Sequence, residues 1–181
     1  MAGAAMTTIV RGPRPPELEQ LLERRRRSGA DRFDEVWEGR YVVAPDLHSA
    51  HGAIQGHLFA LLEPAARRLG LRAALTFNLG RPGDVRKPDG GLLSGTHGVW
   101  HDTAVLVVEV LSPDDMTFEK LDFYTAHGVR ELLVVDGVHR SVRCFALQEG
   151  QVERDRSEVL GLTTADVAGA IDWPSSDDWG R

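Results

Sequence analysis

The most continuous apolar run in the chain extends from Ala104 to Leu111, is rich in valine and is broken by one charge, Glu109. A run of that length without polar alternation predicts a central strand buried on both faces. Ser112-Pro113-Asp114-Asp115 follows as a helix start, and the pattern predicts a helix from about Asp115 to His127, stopped by Gly128. Two strands come next, Glu131 to Asp136 and Ser141 to Leu147, joined across Gly137, with a third over Gln151 to Arg156. A short helix over Thr163 to Ala170 and a polar tail from Trp173 to Arg181 complete this half.

Upstream, Leu18, Leu21 and Leu22 mark one side of a polar helix over Glu17 to Arg27. Phe33 to Trp37 and Arg40 to Val43 read as a hairpin around Glu38-Gly39, which Pro45 closes. A long helix begins near Leu47, with Ile54, Leu58, Leu61, Leu62 and Leu69 at helical spacing and Gly70 as its stop. Pro64 is expected to kink or divide it. Leu71 to Leu79 reads as one strand and Arg81-Pro82-Gly83 as a turn. Val85 to Leu93 reads as extended chain around Pro88, with a bulge or bend at Gly90-Gly91. The expected architecture is a mixed α/β sandwich around one sheet.

Length and composition narrow the class. A chain of 181 residues, 42% hydrophobic and 27% charged, is globular and fits one domain with short extensions. Its single cysteine, Cys144, excludes an internal disulfide framework and a Cys-rich zinc site, and is expected as an inert core residue. No stretch approaches 18 apolar residues, and Met1 to Val10 lacks the apolar run of a signal peptide, so a soluble cytoplasmic protein without a membrane partner is expected. Of the net charge of −6, the segment from Glu149 onward carries eight acids and three arginines; the rest is close to neutral, with 18 basic and 19 acidic residues. That balance excludes a histone-like positive coat and leaves both nucleic-acid and small-molecule partners open. The dense basic run Arg24 to Arg27 reads as a solvated helix end, well placed against the C-terminal dipole.

Candidate chemistry gathers at three charged positions: Asp89 after Pro88, Glu109 late in the buried strand, and Lys120 on the following helix. A lone buried carboxylate is costly, so Glu109 needs a cation. Two readings stand side by side: an ion pair with Arg130 or Lys120, or a shared hard cation held by two carboxylates from neighbouring strand ends. In the second, a nearby lysine neutralises a developing anion or orients a water nucleophile. Lysine is scarce here: 19 of 21 basic residues are arginine, and only Lys87 and Lys120 depart from that habit. Arginine bias explains the scarcity as readily as a need for compact ammonium groups does. Tyr124 shares a helical face with Lys120 at i,i+4, either holding the lysine or a phosphate or serving as a half-buried core residue. His51 and Gln55 lie one turn apart on the long helix. They, like His48 and His57, are expected as exposed polar residues unless that face turns toward the site. Trp173 and Trp179 are expected to pin the tail or to join an interface.

The ordered set Val85-Arg86-Lys87-Pro88-Asp89, Val107-Val108-Glu109-Val110-Leu111-Ser112-Pro113, Glu119-Lys120-Leu121 with Tyr124, Gly128-Val129 and Val134-Val135-Asp136 resembles the Uma-type restriction endonucleases of the PD-(D/E)XK superfamily. Trp37-Glu38-Gly39-Arg40 with Pro45, and the helix carrying His51, are similar to that family's beginning. The resemblance implies an α/β restriction-endonuclease-like mixed sheet flanked by helices. It implies a nuclease-like domain over residues 31–160, with an N-terminal extension and helix at 1–30 and a C-terminal helix and acidic tail at 161–181. It implies DNA as partner, Mg²⁺ as cofactor with Mn²⁺ as substitute, and Asp89 and Glu109 as the motif acids. The superfamily's motif lysine normally stands two residues after the second acid, where this chain has Leu111; the family moves it to the next helix, where Lys120 matches. Glu38 matches an acidic position near the family's start and is a candidate for the metal's wider shell. Lys87, two residues before Asp89, shares its face if the segment is extended, or is a surface lysine. The chain departs from the family at Gly90-Gly91 and at Leu132-Leu133. A homodimer follows by analogy, since double-strand cleavage needs two sites. The rival class is a binding or assembly module that keeps the fold without catalysis.

Overall fold

The computed structural model describes residues 8–10, 15–44, 48–112 and 116–175, the first three by backbone alone. In chain order the elements are β1 (Thr8–Val10), α1 (Pro16–Ser28), β2 (Glu35–Trp37), β3 (Arg40–Val43), α2 (Ser49–Leu69), β4 (Arg72–Leu75), β5 (Asn78–Arg81), β6 (Asp84–Arg86), β7 (Gly90–Leu93) and β8 (Trp100–His101). There follow β9 (Leu106–Val110), a 3₁₀ turn (Thr117–Lys120), α3 (Leu121–Ala126), β10 (Glu131–Asp136), β11 (Ser141–Ala146), β12 (Val152–Arg154), the short pair β13 (Arg156–Ser157) and β14 (Leu162–Thr163), and α4 (Thr164–Gly169).

The valine run forms β9, all five residues of which are buried. It lies inside a six-stranded sheet of order β12-β11-β10-β9-β7-β4, pairing antiparallel with β7 and parallel with β10. A parallel neighbour requires a crossover, and the 3₁₀ turn with α3 supplies it. Strand pleating then sorts the side chains into two layers. Leu106, Val108 and Val110 join Leu133, Val135 and Cys144 on the face covered by α2 through Ile54, Leu58 and Leu62, and by α4 through Val167. Val107 joins Leu132, Val134 and Phe145 on the other face, under Phe123 and Tyr124 of α3. Burying each such aliphatic side chain contributes about 1.5–3 kcal/mol. Burial also pushes the Cys144 thiol up to about 12, which fits an inert core position.

A second six-stranded sheet, β1-β3-β2-β6-β5-β8, replaces the single sheet expected from sequence. The reason lies in Leu71 to Leu79. Thr76 and Phe77 leave the strand, so β4 pairs with β7 in one sheet while β5 pairs with β6 and β8 in the other. An apolar run does not encode which partner each half takes.

Three local expectations also change. α2 continues through Pro64 undivided. Pro64 and Ala60, whose carbonyl loses its helical donor, are both exposed, so water can satisfy that oxygen while Leu62, Ala65 and Ala66 hold the buried side. The helix before β10 is shorter than expected, opening as a 3₁₀ turn; its Ser-Pro-Asp-Asp start falls largely outside the described residues, as do Pro45 and Trp179. Gly90 and Gly91 form no bulge but sit in regular register opposite Val108 and Val107, the bend falling at residues 87–89. Glycine is needed because a Cβ on Gly91 would run into the Leu106 carbonyl, with the Phe77 ring 3.2 Å away.

Gly91→Ala is therefore expected to cost about 1–3 kcal/mol through overpacking. Gly90→Ala, whose Cβ would lie 3.3 Å from the Ala74 carbonyl, should cost less. Urea unfolding midpoints of the two variants check this; equal losses would contradict it.

Candidate active site

The crossover after β9 folds Lys120 and Tyr124 back over the strand they follow. Lys120 closes the 3₁₀ turn and Tyr124 lies one turn further on, so the i,i+4 spacing aims both at Glu109. The Lys120 Nζ donates to Glu109 Oε1 at 3.0 Å, and the Tyr124 hydroxyl makes a short bond to the same oxygen. Arg130, the other cation considered from sequence, is exposed and is not Glu109's partner. Glu109 is 3% exposed, and burial pushes its carboxyl up to about 8. Lys120 pulls against that, while the charges of Asp89 and Glu35 add to it. Burial and the Glu109 charge likewise raise the Tyr124 phenol, which stays protonated as a donor.

Asp89 sits in the bend before β7 and reaches the end of β9. Its Oδ2 accepts the Val110 N–H at 2.7 Å, and its Oδ1 accepts the Gln55 amide at 2.9 Å. His51, one turn before Gln55, places its Nε2 3.2 Å from both Asp89 Oδ2 and the Val110 carbonyl. The expectation of exposed helix histidines thus fails at His51, which is buried. Burial lowers its basicity, but the bond to Asp89, that carboxylate's charge and the Val110 carbonyl outweigh this and leave its pKa raised.

A third carboxylate, Glu35, went unrecognised in the sequence. Its Oε1 accepts Lys120 Nζ at 3.2 Å and the Lys87 backbone N–H at 2.7 Å, and its Oε2 accepts the Trp37 indole at 2.6 Å. Asp34, buried beside it, receives Arg25, Tyr41 and the Ala44 N–H, which fixes the hairpin that carries Glu35. The signal was available: Trp37 faces inward, and in a strand Glu35 must share its face.

The acid matched from sequence, Glu38, does not join the cluster. It occupies the hairpin turn with φ +49°, is exposed, and pairs with Arg40. Lys87 also stays outside by its side chain. Its ammonium, whose pKa burial lowers, donates to the Arg32 carbonyl at 2.7 Å, and only its backbone touches the site. The structure thus gathers Asp89, Glu109, Lys120, Tyr124 and His51, adds Glu35 and Gln55, and leaves out Glu38 and the Lys87 side chain.

Three carboxylates therefore share one lysine and one histidine at the C-terminal end of a buried strand. The sequence matches the Uma2 family, described as "Putative restriction endonuclease", over residues 15–167. The chain belongs to the Uma2 family. Among solved structures it is similar to a putative nuclease from Anabaena variabilis, with a TM-score of 0.63 and 17% identity, over 76% of this chain and 90% of that one. At that identity the likeness shows a shared fold. No curated protein matches. The chain's fold is thus an α/β one with mixed sheets flanked by helices, and the Uma2 family's description supports a nuclease. Among the described residues, no helix is long and apolar enough to cross a membrane.

The Glu109 pKa has a direct consequence for stability. The group rises from its ordinary 4.5 to about 8 on folding, so the folded chain holds a proton that the unfolded chain releases. The stabilisation is full below pH 4.5 and is lost as pH rises toward 8. Glu109→Gln removes that dependence while keeping shape, and in metal-free protein it should raise stability by about 1–4 kcal/mol at pH 8 and far less at pH 5. Thermal unfolding at the two values checks it; an equal shift at both would contradict it.

Proposed function

We propose that this chain is a metal-dependent endonuclease that hydrolyses phosphodiester bonds of DNA. The observation that carries the reading is the Lys120 ammonium on Glu109, with Asp89 held at the end of the same strand by the Val110 N–H. That arrangement supplies two acids and a lysine without a lysine on the strand itself, in keeping with the resemblance drawn from the sequence.

The donor set fits Mg²⁺. Asp89 and Glu109 offer oxygen alone; burial raises the Glu109 pKa, and the charges of Asp89 and Glu35 add to it. Among the described residues, no three Asp, Glu, His or Cys side chains form a ready metal-binding group. Mg²⁺ takes one or two carboxylates and keeps several waters, so the proposal needs only two acids. Asp89 and Glu109 would hold Mg²⁺, or Mn²⁺ in its place. The metal would lower the pKa of a bound water and polarise the phosphate.

The remaining work falls to the chain's own groups. His51 and Gln55 hold the Asp89 carboxylate in position by bonds to its two oxygens. Tyr124 and Lys120 both address Oε1 of Glu109, so that carboxylate keeps one orientation. Glu35 offers Lys120 a second acceptor, so two carboxylates hold the ammonium over the strand end. There Lys120 stabilises the charge that develops on the attacked phosphate. Two copies of the chain would supply the two sites for double-strand cleavage.

Lys120→Ala should lower nicking of plasmid DNA at least 100-fold while Mg²⁺ affinity stays within a few-fold, because lysine is not a metal ligand. Lys120→Arg should not restore full activity, since a broad guanidinium does not copy a point charge. Asp89→Asn should fold and lose Mg²⁺ binding in calorimetry. Nicking by Lys120→Ala at the wild-type rate would overturn the lysine's role. A wild-type protein that binds metal and DNA but cleaves none would favour the non-catalytic module.

A further inference from the structure

The face of the sheet that carries Glu109 also carries an exposed aromatic side chain that the proposed chemistry does not use. Phe118 stands two residues before Lys120 on the same 3₁₀ turn and is 43% exposed. Its ring meets Phe145 edge-on, with centroids 6.0 Å apart, and the Arg143 guanidinium lies 5.1 Å from its centroid and 4.8 Å from that of Phe145. Two bonds of 2.8 and 2.7 Å to Glu153 fix the guanidinium in turn.

Strand register places this group relative to the site. Glu109 is opposite Val134, and Val134 is opposite Arg143, so the acid and the arginine lie in one row on one face, two strands apart. At the usual strand spacing that is about 10 Å. About three nucleotides of a stacked DNA strand span this distance.

We propose that Phe118, braced by Arg143 and Phe145, is a stacking platform for an unpaired base flanking the phosphate that enters the Glu109–Lys120 cluster. The inference rests on the nuclease reading and adds to it where the strand runs. A planar base suits the site better than a protein partner does. The exposed apolar area is one ring bordered by Glu119, Arg143 and Glu153, all exposed, whereas a protein interface needs a broad patch. Base–aromatic stacking accepts any base and needs no net charge. Because Glu153 neutralises Arg143, loss of the ring should weaken binding equally at low and high salt, unlike loss of a phosphate contact.

The test uses the full-length Lys120→Ala protein with Mg²⁺, so that strands are bound and not cut, and a single-stranded oligonucleotide carrying the fluorescent base 2-aminopurine. Adding Phe118→Ala should weaken binding about tenfold at both 50 and 200 mM salt and abolish the quenching that stacking causes. Phe118→Trp should retain binding and quenching; Phe118→Leu, equally apolar, should not. Thermal unfolding confirms that each variant folds. Binding by Phe118→Ala equal to that of its parent would overturn the platform and leave the nuclease reading standing, and so would full rescue by Phe118→Leu. If the Lys120→Ala parent and wild type both bind no DNA, the nuclease reading itself fails and the platform with it.

Discussion

One buried carboxylate governs the architecture. Glu109 lies in a strand whose other members are apolar, and an ionised group there is tolerable only with a cation and hydrogen bonds supplied from outside the strand. The β9–α3–β10 crossover meets that requirement by folding the next helix back over its own strand. The same helix seals one core layer with Phe123 and Tyr124, so packing and electrostatics depend on a single connection. Glu35 and the hairpin beneath it fasten the second sheet to that point, which couples the two sheets through the lysine they share.

The two acids of the motif reach their places by different means. Glu109 is delivered by strand pleating and would point inward in any fold that buried this strand. Asp89 lies in a bend and owes its orientation to neighbours: a backbone N–H from β9 and two side chains from α2. Gly91 permits that approach by letting β7 lie close against β9. On the proposed metal-binding reading, affinity should accordingly respond to α2 as well as to the acids.

Much of this was legible in the sequence because it rests on periodicity. The buried strand, the i,i+4 pairing of Lys120 with Tyr124 and the extents of α1 and α2 follow from spacing alone. What escaped depended on tertiary choices. The apolar run from Leu71 to Leu79 does not say that its halves enter different sheets. Glu38 stands out through the resemblance to the family's start, yet it occupies a turn and points to solvent, while Glu35 follows Trp37 inward. His51 and Gln55 lie one turn apart on a helix face that the sequence leaves either exposed or turned toward the site, and the packing of α2 against the end of β9 decides for the second. The helix start at Ser112 to Asp115 lies mostly outside the described residues.

The central proposal is that Asp89 and Glu109, at the end of β9, hold a divalent cation. It is tested most directly by following the Glu109 carboxyl itself, by carbon NMR of glutamate-labelled protein across pH with and without Mg²⁺. The account predicts a titration near pH 8 in metal-free protein that moves down by more than one unit when Mg²⁺ is present, with protons released on binding. A Glu109 titration unchanged by saturating Mg²⁺ would contradict it.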